Sequence, residues 1–194
     1  MKLTSHFKIE HRMIEEMLAV IQQEIDRIET QKDVDELFIS RIIDFMITYG
    51  EQTHHMKEET ILFNRLVDKE LNAEEKALFE KLKKDHEYKQ QTAQDLIRAK
   101  DAFLAGEVIH IETIIEKLKA LIAFYPGHIK LEEEQFFGSV EKYFNPEEKR
   151  AIEEDVQRFD QRAFHEKYRA ELKNARKIRK IQGNLDEKEF EDLF

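Results

Sequence analysis

"HHMKEETILF", residues 54–63, places two histidine–glutamate pairs in one helical segment. His54 is followed four places later by Glu58, and His55 is followed four places later by Glu59. Residues four apart lie on the same face of an α-helix, so either pair can present a nitrogen and a carboxylate to one metal ion. A charged, solvated helix surface has the same composition, and the remainder of the chain must distinguish the two interpretations.

The composition of the 194-residue chain is typical of a helical protein, with 38% charged residues, five glycines and two prolines. The net charge of −10 does not provide the basic surface that nucleic-acid binding needs. No apolar run approaches the roughly 20 residues of a membrane span. The first residues, "MKLTSHFKIEHR", lack the apolar segment of a signal peptide. We therefore expect a cytoplasmic protein with no nucleic-acid partner and no membrane span.

Cysteine is absent from the chain, whereas histidine occurs eight times. The absence of cysteine excludes disulfides, thiolate catalysis, and zinc or iron–sulfur sites with cysteine ligands. Any metal site in this protein must therefore use nitrogen and oxygen ligands. The histidines and the abundant carboxylates are the residues that can supply them.

Apolar residues recur with a period near 3.6 along almost the whole chain, and no segment has the two-residue period of a strand. We predict five long helices, with Asp33, Asn72 and Asn145 as caps of the second, third and fifth. Short connections make neighbouring helices antiparallel, so the fold class is all-α, with an up-down-up-down four-helix bundle. The predicted helices cover about residues 5–29, 34–70, 73–104, 107–144 and 146–182.

The C-terminal part is predicted to be an addition to this bundle. Residues 1–145 are expected to form the bundle, and residues 146–194 an additional helix with a charged tail. This helix is amphipathic only in its first half, and the basic "KNARKIRK" and acidic "LDEKEFEDLF" follow. We expect the C-terminal part to pack on the bundle or on a partner subunit, which leaves a homodimer through the C-terminal helix open.

Helical phase distinguishes the two pairs of the opening segment. The stripe that contains His54 and Glu58 continues into apolar residues before and after the pair. The stripe that contains His55 and Glu59 continues into polar residues. We therefore predict that His54 and Glu58 face the bundle interior, and that His55 and Glu59 lie on the flank.

Three further histidines face the interior by the same criterion. His11, His86 and His128 each lie on an apolar stripe of a different helix. The distance along each helix from the predicted turn to the histidine follows from a rise of about 1.5 Å per residue. These distances agree within roughly one helical turn for the three histidines and His54, so all four lie at one level. Buried histidines need hydrogen-bond partners, and four together without a cation would be costly to bury. One inward histidine per helix at a common level therefore indicates a metal site.

Two of these helices add a carboxylate one turn after the histidine, namely Glu58 and Glu132. Four imidazoles and two carboxylates inside a bundle match the di-metal sites that are built from facing helices. If both carboxylates bridge, each ion has two histidines, two carboxylate oxygens and a shared oxo or hydroxo group, with a position left open. Such ligands suit redox-active iron, and manganese fits them too. The predicted ligands are His11, His54, Glu58, His86, His128 and Glu132.

Several other residues are considered as contributors to this site. Tyr125 lies one turn before His128, and it is the one candidate catalytic residue, as a hydrogen-bond donor, a redox-active phenol or a ligand. A core tyrosine is an equally good interpretation. Glu15 and Glu133 are candidate additional carboxylates, and His55 is a candidate neighbour of a ligand. The histidines interpreted as unrelated to the site are His6, His110 and His165.

Five segments of the chain resemble the hemerythrin-like, or HHE cation-binding, family. They are "EHRMIEEML" (10–18), "HHMKEETILF" (54–63), "DHE" (85–87), "YPGHIKLEEEQFF" (125–137) and "FDQRAFHEKY" (159–168). The resemblance covers nearly the whole chain, and it implies a four-helix bundle with a non-heme di-iron site. By position, the ligands that the resemblance implies are the same six residues.

One departure from the family pattern bears on function. The oxygen-carrying hemerythrins, to which the chain is similar, have a fifth histidine one turn after the histidine of the third helix, where this chain has Gln90. The resemblance therefore implies binding of, or reaction with, a small oxidant such as oxygen, peroxide or nitric oxide, rather than reversible oxygen carriage. Whether the protein is an enzyme is left open. The alternatives are an oxygen, iron or redox sensing or binding module, and an iron storage or repair protein.

Overall fold

A computed structural model of the protein describes residues 4–32, 34–107, 110–160 and 165–179. Within these residues all regular structure is helical, and the predicted all-α four-helix bundle is confirmed. Four helices form the bundle and two more follow them. We label them α1 (Ser5–Gln31), α2 (36–66), α3 (Ala73–Leu104), α4 (110–143), α5 (Pro146–Asp160) and α6 (His165–Arg179).

Helices α2 and α4 change from α-helical to π-helical geometry near the predicted ligands. The π-helical segments are Phe45–His55 and Glu58–Phe63 in α2, and Glu132–Phe136 in α4. Turns of this kind are rare, and they concentrate at functional sites. The other parts of α2 include Glu36–Asp44 and Asn64–Leu66, and those of α4 are His110–Leu131, Phe137–Val140 and the 3-10 turn Glu141–Tyr143.

Side-chain caps define where three of the helices begin. The Asn72 side chain accepts a hydrogen bond from the Glu75 N–H at 2.9 Å, and the Glu75 carboxylate accepts one from the Asn72 N–H at 3.2 Å. This capping box confirms the predicted start of α3. The Asn145 side chain caps α5, also as predicted. Asp35 caps α2, whereas the predicted cap Asp33 lies outside the described residues.

The apolar core consists of two clusters that lie on opposite sides of the predicted ligands. The first apolar cluster includes Met13, and the second apolar cluster includes Phe7, so His11 falls between them along α1. The same order holds in the other bundle helices, which places the ligands in a layer that apolar side chains close from both sides. The corresponding residues are Tyr49, His54 and Ile61 in α2, Leu96, His86 and Leu82 in α3, and Ile129, Glu132 and Phe136 in α4.

Both C-terminal helices pack on the bundle of their own chain. Ile152 and Val156 of α5 are buried in the second apolar cluster, and Tyr168 of α6 is buried in the first. The Tyr168 hydroxyl donates a hydrogen bond to Asp44 Oδ2 at 3.0 Å, which links α6 to α2. One continuous helix was expected here, and the structure describes helix on either side of residues 161–164. Those four residues and the acidic tail lie outside the described ranges.

None of the helices in the described ranges has the length and apolar character that crossing a membrane requires.

Candidate metal centre

The six residues predicted as ligands meet inside the bundle, and none is more than 3% exposed. Glu132 lies at the middle of the group. Its Oε2 atom is 3.1 Å from His11 Nε2, and its Oε1 atom is 3.1 Å from His128 Nε2 and 3.5 Å from His86 Nε2. One carboxylate therefore faces histidines of α1 on one side and histidines of α3 and α4 on the other.

Glu58 is arranged in the same way. Its Oε1 atom is 3.8 Å from His54 Nε2, and its Oε2 atom is 3.5 Å from His86 Nε2. Each of the two glutamates thus directs one oxygen toward each half of the site.

The atoms that face one another in this layer lack hydrogen-bond partners. A buried polar atom normally has a partner, because leaving it unpaired costs free energy. Lone pairs and carboxylate oxygens that converge in this way are stabilised by a cation among them, or by protons that the buried carboxylates retain. The residues therefore fit a divalent metal with nitrogen and oxygen ligands. The buried atoms without partners include Nε2 of His11, His54, His86 and His128, and both carboxylate oxygens of Glu58 and Glu132.

The opposite nitrogen of each of the four histidines faces a carboxylate. A carboxylate on Nδ1 favours the tautomer with the proton on Nδ1, which leaves the lone pair of Nε2 directed into the site. This is the arrangement that orients histidine ligands in metalloproteins. The Nδ1–oxygen distances are 2.9 Å for His11 and Glu133, 3.0 Å for His54 and Glu10, and 2.8 Å for His86 and Glu59. His128 Nδ1 lies 3.6 Å from Asp85 Oδ2, beyond hydrogen-bond length.

The prediction that His55 lies on the flank was wrong. Its side chain is 2% exposed, and its ring lies 4.4 Å from the ring of His86 and 5.8 Å from that of His128. The prediction assumed 3.6 residues per turn, whereas the π-helix Phe45–His55 has more residues in each turn, so His54 and His55 both face inward. Glu59 does lie at the surface, with a half-exposed side chain.

The possible ligand atoms form two compact sets. Within each set, the nitrogen and oxygen atoms all lie within 4.8 Å of one another. His55 belongs to one of these sets although it is not among the six predicted ligands. The sets are His11, His54, Glu58 and Glu132, and His55, His86 and His128.

Lys89 is a buried cation at this site that the sequence analysis missed. Its side chain is fully buried, its Nζ atom contacts His55 Nε2, and it lies 4.7 Å from the centroid of the Tyr125 ring. Burial lowers the pKa of Lys89 to about 8. Lys89 lies three places after His86 on one helix face, so the phase criterion could have found it. Gln90, the position compared with the fifth histidine, is exposed instead.

Tyr125 lies in the wall of the site. Its side chain is 1% exposed, and its ring stacks on His55 at 6.1 Å between centroids and 13° between planes. Its hydroxyl has no hydrogen-bond partner, and a Cβ added to Gly50 would lie 3.0 Å from it. Burial raises the pKa of Tyr125 well above its usual range. The tyrosine is therefore a neutral phenol that packs beside His55 and Gly50.

Burial also determines the protonation of the histidines. It lowers the pKa of His54 to about 3, and it lowers the pKa of His55 well below the ordinary value. Both rings are therefore neutral near pH 7, which is the form that binds metals. Burial by itself would lower the pKa of His11, but the neighbouring carboxylates of Glu132 and Glu133 outweigh it and raise that pKa.

A chain of buried polar contacts leads from His54 to the end of α5. Glu10 binds His54 Nδ1 with one oxygen, and its other oxygen contacts Lys57 Nζ. Lys57 is fully buried, and it also donates to Asp160 Oδ1 at 2.6 Å. Burial opposes the charge on Lys57, but Glu10 and Asp160 outweigh it and raise the pKa of the lysine. These residues were also missed by the sequence analysis, since long-range ion pairs have no local signature.

The two candidate additional carboxylates, Glu15 and Glu133, do not face the interior of the site. Glu15 pairs with Arg12 at the surface, away from the six converging residues. Glu133 faces the outer nitrogen of His11 rather than the interior. His6 has its Nδ1 atom 3.9 Å from Asp160, and the side chains of His110 and His165 lie outside the described parts of the chain.

A surface cleft of about 220 Å³ reaches the site at His86. Phe63, Phe79 and Val67 supply its apolar lining, and Gln90 lies at its polar side. The ring of Phe63 stacks on His86 at 5.2 Å between centroids. The cleft therefore joins solvent to a histidine of the metal layer through a partly apolar passage.

Comparison with known proteins identifies one family. The model of the family described as "Hemerythrin HHE cation binding domain" matches residues 2–140 of the chain. The match ends within α4, so α5 and α6 lie beyond it. No curated protein and no solved structure matched the chain.

Proposed function

Because the chain belongs to the hemerythrin HHE cation-binding domain family, we propose that it is a non-heme di-iron protein that binds or reacts with a small oxidant. The oxidant is oxygen, peroxide or nitric oxide. Two iron ions are the proposed cofactors, and manganese fits the same donor atoms. The proposed ligands are His11, His54, Glu58, His86, His128 and Glu132.

The observation that supports this proposal is the convergence of unpartnered buried atoms. The two glutamates direct their oxygens toward both halves of the layer, which suits two ions rather than one. Nitrogen and carboxylate donors are the ligands of redox-active non-heme iron. When bound, iron with an open coordination position supplies electron exchange with an oxidant.

The other residues of the site would hold the ligands still and limit the access of water. The carboxylates on the Nδ1 atoms fix the orientation of the histidine rings. The two apolar clusters close the layer at both ends, so a molecule from solvent must enter between helices. We propose the cleft at His86 as the entry route, because a small and weakly polar oxidant can pass its apolar lining. Tyr125 is proposed as a neutral hydrogen-bond donor beside the site.

The test is to load the purified protein with ferrous iron under nitrogen and to add oxygen, peroxide and nitric oxide separately. The proposal predicts a new visible absorption band, a stable adduct or turnover with at least one oxidant. The His54→Ala variant should lose this response, and His110→Ala should keep it. Spectra that stay unchanged with all three oxidants would contradict the proposal.

One observation favours the sensing alternative as a second candidate. The buried contacts from His54 through Glu10 and Lys57 reach Asp160, the last residue of α5. Metal binding at His54 could thereby alter the C-terminal helices and their interaction with a partner. Hydrogen exchange of α5 and α6 should then slow when iron is added, and Lys57→Met should abolish the difference. Identical exchange with and without iron would exclude this alternative.

A further inference from the structure

We propose that His55 is a fifth histidine ligand, so that one metal ion has three histidines and the other has two. This inference rests on the proposed function and deepens it. It adds a ligand from α2 to the second set of donors, where His86 and His128 come from α3 and α4. It also distinguishes the two ions chemically.

The orientation of the His55 ring is that of the other four. Its Nδ1 atom lies 3.1 Å from Glu51 Oε1, a separation of hydrogen-bond length without the alignment of a hydrogen bond. Its Nε2 atom contacts the buried Lys89 Nζ, and one of its ring nitrogens lies within 4.8 Å of ring nitrogens of His86 and His128. A carboxylate on one nitrogen and an inward lone pair on the other define a metal-binding histidine. His55, like the other four histidines, therefore has a carboxylate oxygen beside Nδ1.

The backbone geometry of α2 gives a second reason. Consecutive residues of a regular α-helix point about 100° apart, and the wider turn of a π-helix reduces that angle. The π-helix Phe45–His55 turns both rings inward. Such turns are less stable than α-helical ones and persist where the surrounding structure compensates for them. A metal ligand at each of the two positions provides that compensation.

Lys89 shows that the position in front of His55 suits a cation. Its Nζ atom contacts the Nε2 lone pair of His55, and both side chains are buried. The negative charges that attract the lysine from across the layer are those of Glu132, Glu51 and Glu58. A metal ion that binds His55 would use the same lone pair and the same charges. We infer that the lysine and the metal are alternative partners of His55.

The consequence is an asymmetric centre. The ion beside His55 would be held by His55, His86 and His128 together with the carboxylates of Glu58 and Glu132. The ion beside His11 and His54 would have two histidines and the same two carboxylates.

Proton NMR of the protein loaded with a paramagnetic divalent ion, cobalt(II), tests the inference. Each histidine ligand gives one strongly shifted, exchangeable Nδ1–H resonance, so the wild type should show five. The His55→Ala variant should show four, and the control variant His110→Ala should show five. His110 lies 18 places before His128 in α4, which corresponds to about 27 Å.

The possible results separate the two proposals. Four shifted resonances in the wild type, or the same number in the wild type and in His55→Ala, would overturn the role of His55 and leave the proposed centre intact. No shifted resonance would overturn the metal centre itself. If His55→Ala does not fold, the wild-type count alone decides between four and five ligands.

Discussion

His54 Nδ1 lies 3.0 Å from Glu10 Oε2, and both side chains are buried. The contact orients the ring, so that the Nε2 lone pair faces the carboxylates of the metal layer. Glu10 is itself held by Lys57, which is buried as well. The position of a proposed ligand is therefore determined by residues that do not face the ions.

Glu10→Gln should weaken metal binding, because a neutral amide orients and polarises His54 less than a carboxylate does. The expected loss of affinity is about 10–100-fold, the usual effect of removing a group that orients a ligand. Competition with a chelator of known affinity measures it. Glu15→Gln is the matched control on α1, since Glu15 pairs with Arg12 at the surface. Equal affinities for both variants would refute the role of Glu10.

Lys89→Met should stabilise the metal-free protein. The ammonium is buried, and the lowering of its pKa from 10.5 to about 8 corresponds to a cost of about 3 kcal/mol at most. The measurement is the free energy of unfolding in denaturant with a chelator present. Lys83→Met on the same helix is the control, because the Lys83 side chain is 46% exposed whereas that of Lys89 is fully buried. A Lys89→Met protein less stable than the wild type would contradict this account.

Glu51 should make the stability of the metal-free protein depend on pH. Burial raises the pKa of Glu51 from 4.5 to about 7, so the folded chain holds this proton more tightly than the unfolded chain. The contribution of Glu51 to stability therefore falls as the pH rises from 4.5 to about 7. Glu51→Gln should remove that contribution, by about 3 kcal/mol at most. The measurement is the free energy of unfolding in denaturant at several pH values. If this free energy changes with pH in the same way for the wild type and for Glu51→Gln, the role of Glu51 is refuted.

Gln90→Trp should slow the reaction with an oxidant without changing the iron content. The indole would fill the cleft that reaches His86, and a smaller opening reduces the rate of entry. Stopped-flow absorbance of the iron-loaded protein measures that rate. Gln91→Trp is the control, because Gln91 is exposed and bonds to Asp95 rather than lining the cleft. The same rate in both variants would place the entry route elsewhere.

The bundle and the six converging residues could be predicted because both depend on periodic patterns. Apolar residues spaced about 3.6 positions apart predicted the helices, and the capping residues Asn72 and Asn145 predicted where two of them begin. His11, His86 and His128 lie on apolar stripes of regular α-helix, so the period of about 3.6 residues correctly predicted that their side chains face the bundle interior. His54 was assigned correctly to the interior because its own stripe is apolar.

His55 was assigned to the flank because no sequence signal indicated the π-helix. The wider turn depends on packing among four helices and not on local preference. Lys89 was overlooked for another reason: a buried lysine contradicts the usual location of charged residues, and only the surrounding carboxylates make it tolerable. Glu10 and Lys57 lie far apart in sequence, so their pairing emerges only from the folded chain.

The iron content of the reconstituted protein tests the central claim most directly. Protein loaded with ferrous iron under nitrogen, freed of excess metal and analysed by mass spectrometry should contain two iron ions per chain. Glu58→Ala combined with Glu132→Ala should contain none, since both bridging carboxylates are lost. A wild-type protein that retains no iron, or a double variant that retains as much as the wild type, would contradict the di-iron centre.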